Sequence, residues 1–150
     1  MPLGKTASTL PPADADPVDA EDRVSIAVVG AHMSGLPLNR QLTALGGRPE
    51  GTGRTAPLYR FYALPGDPPA RPGLLRVAKD GAAIELEVWS LPSATVGAFA
   101  RQIPAPLGLG GVALEDGSTV LGFLCESYAT AGALDITALG GWRAYLKSVS

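Results

Sequence analysis

Residues 24–39 read Val-Ser-Ile-Ala-Val-Val-Gly-Ala-His-Met-Ser-Gly-Leu-Pro-Leu-Asn, and the rest of the chain can be interpreted outward from them. The near-continuous apolar run Val24–Val29 predicts a central strand buried on both faces. Pro37 follows a short loop and suits the first turn of a helix, where its missing N–H costs nothing. Leucines then recur at helical spacing until two glycines, which predicts a helix over about 37–45. The single histidine, His32, therefore lies in a loop between a strand and a helix.

The remaining strands are predicted to be short and joined mostly by hairpins. Alternating or apolar runs predict them over 58–64, 73–78, 83–91, 111–114 and 119–125. Asp-Gly pairs at 80–81 and 116–117 predict tight turns, so 83–91 is expected to pair with the strand before it. Gly122, inside the last of these strands, predicts a bulge or a barrel corner.

The segments between these strands complete the predicted fold class. Residues 46–57 are rich in glycine and polar residues and predict a surface loop. Helices are predicted over about 94–101 and from Trp142 to the C-terminus. Because only the first unit alternates a strand with a helix, a doubly wound sheet is not expected. The pattern predicts an α+β fold, a small mixed or antiparallel β-barrel of about six strands with about three helices.

Length and composition exclude several classes of protein. The chain has 150 residues, which favours one domain, and 46% of them are hydrophobic. No apolar run approaches the roughly 18 residues that span a bilayer, so no membrane partner is expected. The N-terminus lacks the apolar segment of a secretory signal, and a cytoplasmic location is expected. The single cysteine, Cys125, lies in an apolar run and is expected to be a buried small hydrophobe.

The charges are concentrated in the first 22 residues. Residues 1–22 are acidic and rich in proline and alanine, and they predict a disordered leader or linker before a domain over 23–150. The remaining residues carry eleven basic and nine acidic side chains with no basic cluster, so a nucleic acid is not the expected partner. No cluster of cysteine and histidine is present, so a transition-metal site is not expected. No cofactor is expected either.

Five stretches, in this order along the chain, resemble the C-terminal domain of allophanate hydrolase. They are Gly30-Ala31-His32-Met33-Ser34-Gly35-Leu36-Pro37-Leu38-Asn39, Thr55-Ala56-Pro57-Leu58-Tyr59-Arg60, Gly122-Phe123-Leu124-Cys125-Glu126, Asp135-Ile136-Thr137 and Gly140-Gly141-Trp142-Arg143-Ala144-Tyr145-Leu146. The resemblance covers about residues 24–147. It implies a gamma-glutamylcyclotransferase-like fold, in agreement with the pattern of strands.

The resemblance also implies a place in urea degradation. In that family an N-terminal amidase domain hydrolyses allophanate to ammonia and N-carboxycarbamate, and the C-terminal domain is thought to promote decarboxylation of this product and to support assembly. The functional histidine of the family matches His32. Because the chain carries no amidase signature, we expect a stand-alone relative or an excised domain rather than a complete hydrolase.

The loop after the first strand is the predicted ligand site. Backbone N–H groups of Gly30, Ala31, Met33, Ser34 and Gly35 lie before a helix and could hold a small carboxylate. His32 could donate the proton that a carbamate nitrogen gains as its C–N bond breaks. Further candidates for contacting the carboxylate are Tyr59, Arg60 and Glu126. The simpler interpretation is strand surface and core packing for Tyr59 and Arg60, and an edge-exposed charge or a helix cap for Glu126.

Two alternatives remain open at this stage. The domain could be a non-catalytic assembly or ligand-binding partner of a separate amidase, and a homo-oligomer is also compatible with the sequence. A gamma-glutamyl cyclotransferase is less well supported, because the region matching its catalytic glutamate, Gln102-Ile103-Pro104-Ala105-Pro106, has no acid.

Glu85, Glu87 and Trp89 share one side of a predicted strand, and we expect that side to face solvent.

Overall fold

The computed structural model describes residues 22–150, so the predicted leader falls almost wholly outside the described residues. The strands are β1 (Arg23–Val28), β2 (Arg48–Arg54), β3 (Tyr59–Leu64), β4 (Arg71–Arg76), β5 (Glu85–Pro92), β6 (Leu107–Ala113), β7 (Thr119–Cys125) and β8 (Leu134–Asp135). The α-helices are α1 (Asn39–Thr43), α2 (Val96–Ala100) and α3 (Trp142–Val149). Short 3-10 turns lie at Ser93–Thr95, Ser127–Thr130 and Thr137–Leu139.

The strands form two sheets, and β1 lies at the centre of the larger one. Its order is β2-β5-β1-β7-β6, while the smaller sheet has the order β4-β3-β8. Strand β1 is antiparallel to β5 and parallel to β7, and every other pairing is antiparallel. The predicted α+β class with a mixed sheet and a central first strand is therefore confirmed.

Two predictions about the strands were wrong. Strand β2 occupies the predicted surface loop at 46–57, and because all seven of its residues are exposed it carries no apolar alternation. Strand β5 pairs with β1 and β2 and not with β4, which pairs with β3 instead. Asp80, at φ +64°, lies in a bend at the predicted position, but no tight hairpin forms there, and the chain passes from the smaller sheet to the larger one.

The predicted barrel is replaced by a larger sheet whose edges meet at one end. The Ala56 N–H donates to the Ala113 carbonyl at 2.9 Å, and the Glu115 N–H donates to the Arg54 carbonyl at 3.0 Å. These bonds join the last residues of β2 and β6, the two edge strands, to the residues that follow the opposite strand. The sheets are not closed as a barrel, and the described residues contain eight strands instead of about six.

The core lies between the two sheets and beneath α2 and α3. Ile26 and Val28 of β1 are fully buried, as are Phe61, Phe99 and Trp142. The Trp142 ring meets the Phe61 ring edge-on at 6.4 Å, which packs the predicted C-terminal helix onto the smaller sheet. None of the helices in 22–150 is long and apolar enough to cross a membrane.

Gly122 allows two strands to approach closely. The register of β6 with β7 is unbroken across this residue, so the predicted bulge was wrong. A Cβ atom at Gly122 would lie 2.7 Å from Val112 Cγ2 and 3.0 Å from the Ala27 carbonyl oxygen. The missing side chain therefore lets β7 pair in parallel with β1 directly below the loop that follows β1.

Candidate functional site

The loop after β1 is held by its own hydrogen bonds and by contact with the smaller sheet. The Met33 N–H donates to the Gly30 carbonyl at 3.0 Å, and the Leu38 N–H donates to the Ala31 carbonyl at 2.9 Å. A Cβ atom at Gly30 would lie only 2.3 Å from Pro72 Cδ. Only glycine therefore fits here, and this contact brings the start of β4 against the carboxyl end of β1.

His32 is buried in this loop, with 5% of its surface exposed. Its Nε2 lies 2.7 Å from Gln41 Oε1, and its carbonyl accepts a hydrogen bond from Asn39 Nδ2 at 2.8 Å. The imidazole packs against Phe99 and Phe123, with ring centroids 5.4 and 4.8 Å away. With the Gln41 oxygen as its partner, Nε2 is the donor and Nδ1 carries the lone pair.

The pKa of His32 is lowered from its ordinary value. Burial is the main cause, because it penalises the charged ring, and the positive charge of Arg71 adds to the effect. The hydrogen bond with Gln41 raises the pKa but does not compensate. The imidazole is therefore neutral at pH 7, and a guanidinium lies near enough to influence it.

A small pocket and a large cleft meet beside His32. The pocket, here called the inner pocket, measures about 20 Å³ and is lined by Val29, Gly30, Ala31, His32, Arg71, Pro72, Leu107 and Phe123. It has room for about one water-sized group. The cleft, here called the outer cleft, measures about 710 Å³ and is lined by 64–71, 104–107, Tyr128, Ala129 and Ala131. Arg71 and Leu107 line both, so they separate the outer cleft from the histidine.

The guanidinium of Arg71 forms no hydrogen bond or ion pair with any residue in 22–150. The side chain is half-buried at the start of β4. Arginine matches the planar geometry of carboxylates well, and a partly buried charge gains more from such a partner than an exposed one does. The arrangement can therefore bind an anion between the outer cleft and His32.

The other side of the loop is fixed by a carboxylate. Glu87 Oε1 accepts hydrogen bonds from the Ser34 N–H at 2.8 Å and from Trp89 Nε1 at 3.0 Å. Its Oε2 accepts from Arg143 Nη2 at 2.8 Å and from Ser34 Oγ at 3.2 Å. Arg143 also donates to the Ser34 carbonyl at 2.8 Å. These four residues, here called the Glu87 cluster, join the loop to β5 and α3.

The pKa of Glu87 is lowered despite its burial. Desolvation alone would raise this pKa, but the hydrogen bonds from Trp89, Arg143 and Ser34 together outweigh it. Both Glu87 and Trp89 are buried, at 8% and 5% exposure, so the expected solvent-facing side of β5 was wrong. This face of β5 is buried because α3 and the loop that contains His32 cover it.

The predicted anion cradle of the loop is partly occupied by the protein itself. The Met33 N–H is paired with Gly30, and the Ser34 N–H is paired with Glu87. Gly35 has a φ of +80°, in the left-handed region that glycine adopts readily. Gly30, Ala31 and His32 line the inner pocket, whereas Met33 is buried in the core.

Tyr59 and Arg60 lie away from this site. In β3, Leu64 pairs with Arg71 while Tyr59 pairs with Arg76, five residues and about 16 Å farther along the strand. The Tyr59 hydroxyl accepts the Ala113 N–H at 2.9 Å inside the core. Arg60 forms an ion pair with Asp135 at 2.6 Å, so its guanidinium has a structural role between β3 and β8.

Glu126 is exposed beyond the end of β7 and does not line the inner pocket or the outer cleft. Its carbonyl accepts the thiol of Cys125 at 3.2 Å. That thiol is buried, as expected, and burial raises its pKa. Within residues 22–150, no group of His, Cys, Asp and Glu is arranged to hold a metal ion.

Reasoning from the sequence missed Gln41, Arg71 and Glu87. Gln41 could have been found, because it lies on the predicted helix that follows the histidine. Arg71 is one of many residues in a proline-rich loop, and its approach to His32 depends on how the two sheets pack. Glu87 alternates with apolar residues as a solvent-facing acid would, so no local signal separates it from Glu85.

Comparison with known proteins agrees with this architecture. Residues 24–147 match the family described as the allophanate hydrolase C-terminal domain. Urea amidolyase of Saccharomyces cerevisiae is 42% identical over 95% of this chain, which corresponds to 8% of that protein. The chain thus spans less than a tenth of the length of the curated relatives it matches.

The solved structures that match include a much longer protein and a protein of similar length. The S177A variant of Kluyveromyces lactis allophanate hydrolase matches with a TM-score of 0.84 and 40% identity, over 88% of this chain and 22% of that one. The uropathogenic Escherichia coli-specific protein c4763 matches with a TM-score of 0.79 and 37% identity, over 84% of this chain and 97% of that one. A gamma-glutamyl cyclotransferase, 8% identical with a TM-score of 0.52, shares the fold, which confirms the predicted fold type.

Proposed function

The chain belongs to the allophanate hydrolase C-terminal domain family, and from this premise we propose that it acts in the breakdown of urea through allophanate. Its role there is to bind a small carboxylate of the N-carboxycarbamate kind beside His32 and to promote the loss of CO2 from it. The supporting observation is the placement of Arg71, whose guanidinium pairs with no group in 22–150, beside a buried, neutral imidazole.

The reaction requires one bond to break and one proton to move. Loss of CO2 from N-carboxycarbamate breaks a C–N bond, the electron pair stays on nitrogen, and the nitrogen gains a proton to give carbamate. Arg71 would hold the carboxylate that is retained. The apolar walls around His32, among them Phe123 and Leu107, favour the neutral CO2 over the anion from which it forms.

His32 is the proposed proton donor. Because its pKa is lowered, the ring must take up a proton from solvent before it can donate one, and the imidazolium formed is then a strong acid. The acceleration over the uncatalysed rate should therefore increase as the pH falls from about 7.5 towards the pKa of His32. A donor with a raised pKa would already be largely protonated in this range, and the acceleration would then change little with pH.

The test measures CO2 release while a purified amidase that lacks a domain of this kind cleaves carbon-13-labelled allophanate. We expect the wild-type protein to accelerate the release, and the variants His32→Gln and Arg71→Met to lose this effect. Arg76→Met is the matched control, because Arg76 is exposed at the other end of the same strand. If wild-type protein gives no acceleration over the amidase alone, the decarboxylation proposal fails.

Assembly with a separate amidase is the second candidate function. It is supported by the small share of the longer relatives that this chain matches, and by the exposed edge strand β2, whose unpaired side is available to another chain. The measurement is the molar mass of a mixture with an allophanate-cleaving amidase, by light scattering after size exclusion. A stable complex without faster CO2 release would favour this function over catalysis.

A cyclotransferase reaction finds little support in the site. The acid nearest the loop is Glu87, and all four of its hydrogen bonds come from donors of the protein. These bonds lower its pKa, which makes it a weak base. The likeness to a gamma-glutamyl cyclotransferase, at 8% identity, extends to the fold and to nothing further.

A further inference from the structure

The outer cleft is much larger than the proposed reaction needs. Its volume of about 710 Å³ lies in the range of roughly 300–1,000 Å³ that is typical of sites for drug-sized ligands. N-carboxycarbamate, with its few non-hydrogen atoms, would fill only the end nearest His32. The remaining space suits a ligand with a longer body.

The walls of the outer cleft are mainly apolar and rigid. One wall is formed by 64–70, which contains three prolines, and the facing wall by 104–107, which contains two more. Tyr128 closes a third side with 65% of its surface exposed, unusually high for a large aromatic residue. Rigid apolar surfaces lose little conformational entropy when they bind, so an apolar body would gain affinity along them.

The charges of the cleft favour a carboxylate at its inner end. Arg71 is the half-buried arginine among residues 22–150 whose guanidinium has no partner, and it lies where the cleft meets the inner pocket. Asp67 also lines the cleft, but it is exposed and forms no ion pair with Arg71. Water therefore screens the negative charge more than the positive one.

We propose that the outer cleft binds an amphipathic carboxylate, with the carboxylate group on Arg71 and an apolar body of several carbons along the proline and tyrosine walls. This inference goes beyond the proposed decarboxylation and does not depend on it. A ligand of this class would share Arg71 with the small carboxylate, so the two would compete for the site. The domain would then respond to a second metabolite in addition to its own substrate.

The test is isothermal titration calorimetry with butanoate, hexanoate and octanoate, each kept below its micellar concentration. We expect affinity to rise about two- to fourfold per added methylene, somewhat below the full value for buried methylenes because the cleft is open. Hexanol and hexylamine serve as probes of the same length without the negative charge. Hexanoate should bind at least about tenfold more tightly than either of them.

Two variants and one control variant locate the binding. Arg71→Met keeps an apolar stem but removes the charge, so it should abolish the preference for hexanoate over hexanol, while Arg76→Met should leave it unchanged. Tyr128→Ala should weaken octanoate more than butanoate. A thermal melt of each variant confirms that it is folded.

Several outcomes would overturn the inference. They are absence of hexanoate binding at 10 mM or so, affinity that does not depend on chain length, tighter binding of hexylamine through Asp67, or equal behaviour of the two arginine variants. Because binding is measured directly, failure here leaves the decarboxylation proposal standing. Failure of the CO2 assay, in turn, leaves this binding test unaffected.

Discussion

Replacing Glu87 with glutamine changes one atom of a buried carboxylate and tests whether the Glu87 cluster holds the His32 loop in place. The side chain is 11% exposed, so water cannot easily substitute for a lost partner. In Glu87→Gln the amide oxygen can still accept the hydrogen bonds from Ser34 and Trp89. The new NH2 group, however, would face Arg143 and the Ser34 hydroxyl, where the carboxylate had accepted both.

The expected loss of stability follows from these contacts. Losing a charge-assisted hydrogen bond and leaving a buried donor without a partner together cost about 1–3 kcal/mol. For a domain of this size, that lowers the melting temperature by roughly 3–12 °C. Arg143→Met should cost less, about 0.5–1 kcal/mol, because the Arg143 side chain is 43% exposed and its ion pair is screened.

The effect should also depend on pH in a defined direction. The folded-state pKa of Glu87 is lower than its unfolded value, so its ionised form stabilises the fold fully above the unfolded pKa near 4.5. This stabilisation is lost as the pH falls through the folded pKa. The difference in unfolding free energy between wild type and Glu87→Gln should therefore be constant at pH 6–7.5 and shrink below about 4.5.

The assay is urea unfolding followed by tryptophan fluorescence at several pH values, with Glu85→Gln as the matched control. Glu85 lies two residues away on the same strand but is exposed, and its replacement should change stability by less than about 0.5 kcal/mol. The reasoning is refuted if Glu87→Gln and Glu85→Gln unfold alike, or if the difference persists unchanged at pH 3.

Three further predictions concern the loop and its surroundings. A one-dimensional NMR titration of the single imidazole should give a pKa below 6.5 for His32, and Arg71→Met should raise it because a positive charge is removed; an unchanged value would mean that Arg71 does not act on the ring. Gly30→Ala should destabilise the protein by more than about 2 kcal/mol in urea, since its Cβ would lie 2.3 Å from Pro72 Cδ, and near-wild-type stability would contradict the close contact. Thr137→Val should cost about 1–3 kcal/mol, because the buried Thr137 hydroxyl accepts the Phe61 N–H at 2.8 Å; the same unfolding assay would reveal a neutral change if that bond were unimportant.

The elements that could be predicted from the sequence are those with a local signal. The apolar run after Arg23 predicted the central strand. The Asp-Gly pair at 116–117 predicted the β6–β7 hairpin, in which Gly117 has a positive φ of +92°. Strand β2 gave no such signal, because an edge strand exposed on both faces needs no apolar residues. The pairing of β5 was predicted wrongly since the Asp-Gly turn at 80–81 specifies a change of direction and not the strand that is reached.

The site shows the same division between local and non-local information. The position of His32 between a strand and a helix followed from the glycines and proline around it, but its burial follows from Phe99 and Phe123, which lie far along the chain. Tyr59 and Arg60 were candidates because of their residue types and the stretch in which they lie, and the register of β3 with β4 places them at the far end of the hairpin. Residue type can therefore suggest a ligand, whereas its partners depend on how the sheets pack.

The two sides of the His32 loop are held by different kinds of contact. Glu87 and Arg143 fix the Ser34 side through charges, while the Gly30 side is fixed against Pro72 by close packing. Acid removes the first contact, as Glu87 becomes protonated, but not the second. Because Gly30 and Pro72 also line the inner pocket, the approach of Arg71 to the histidine should survive conditions that release Ser34. In Glu87→Gln the charged contact on the Ser34 side is weakened, and Arg71 should nevertheless keep its place beside His32, because the packing of Gly30 against Pro72 is unchanged.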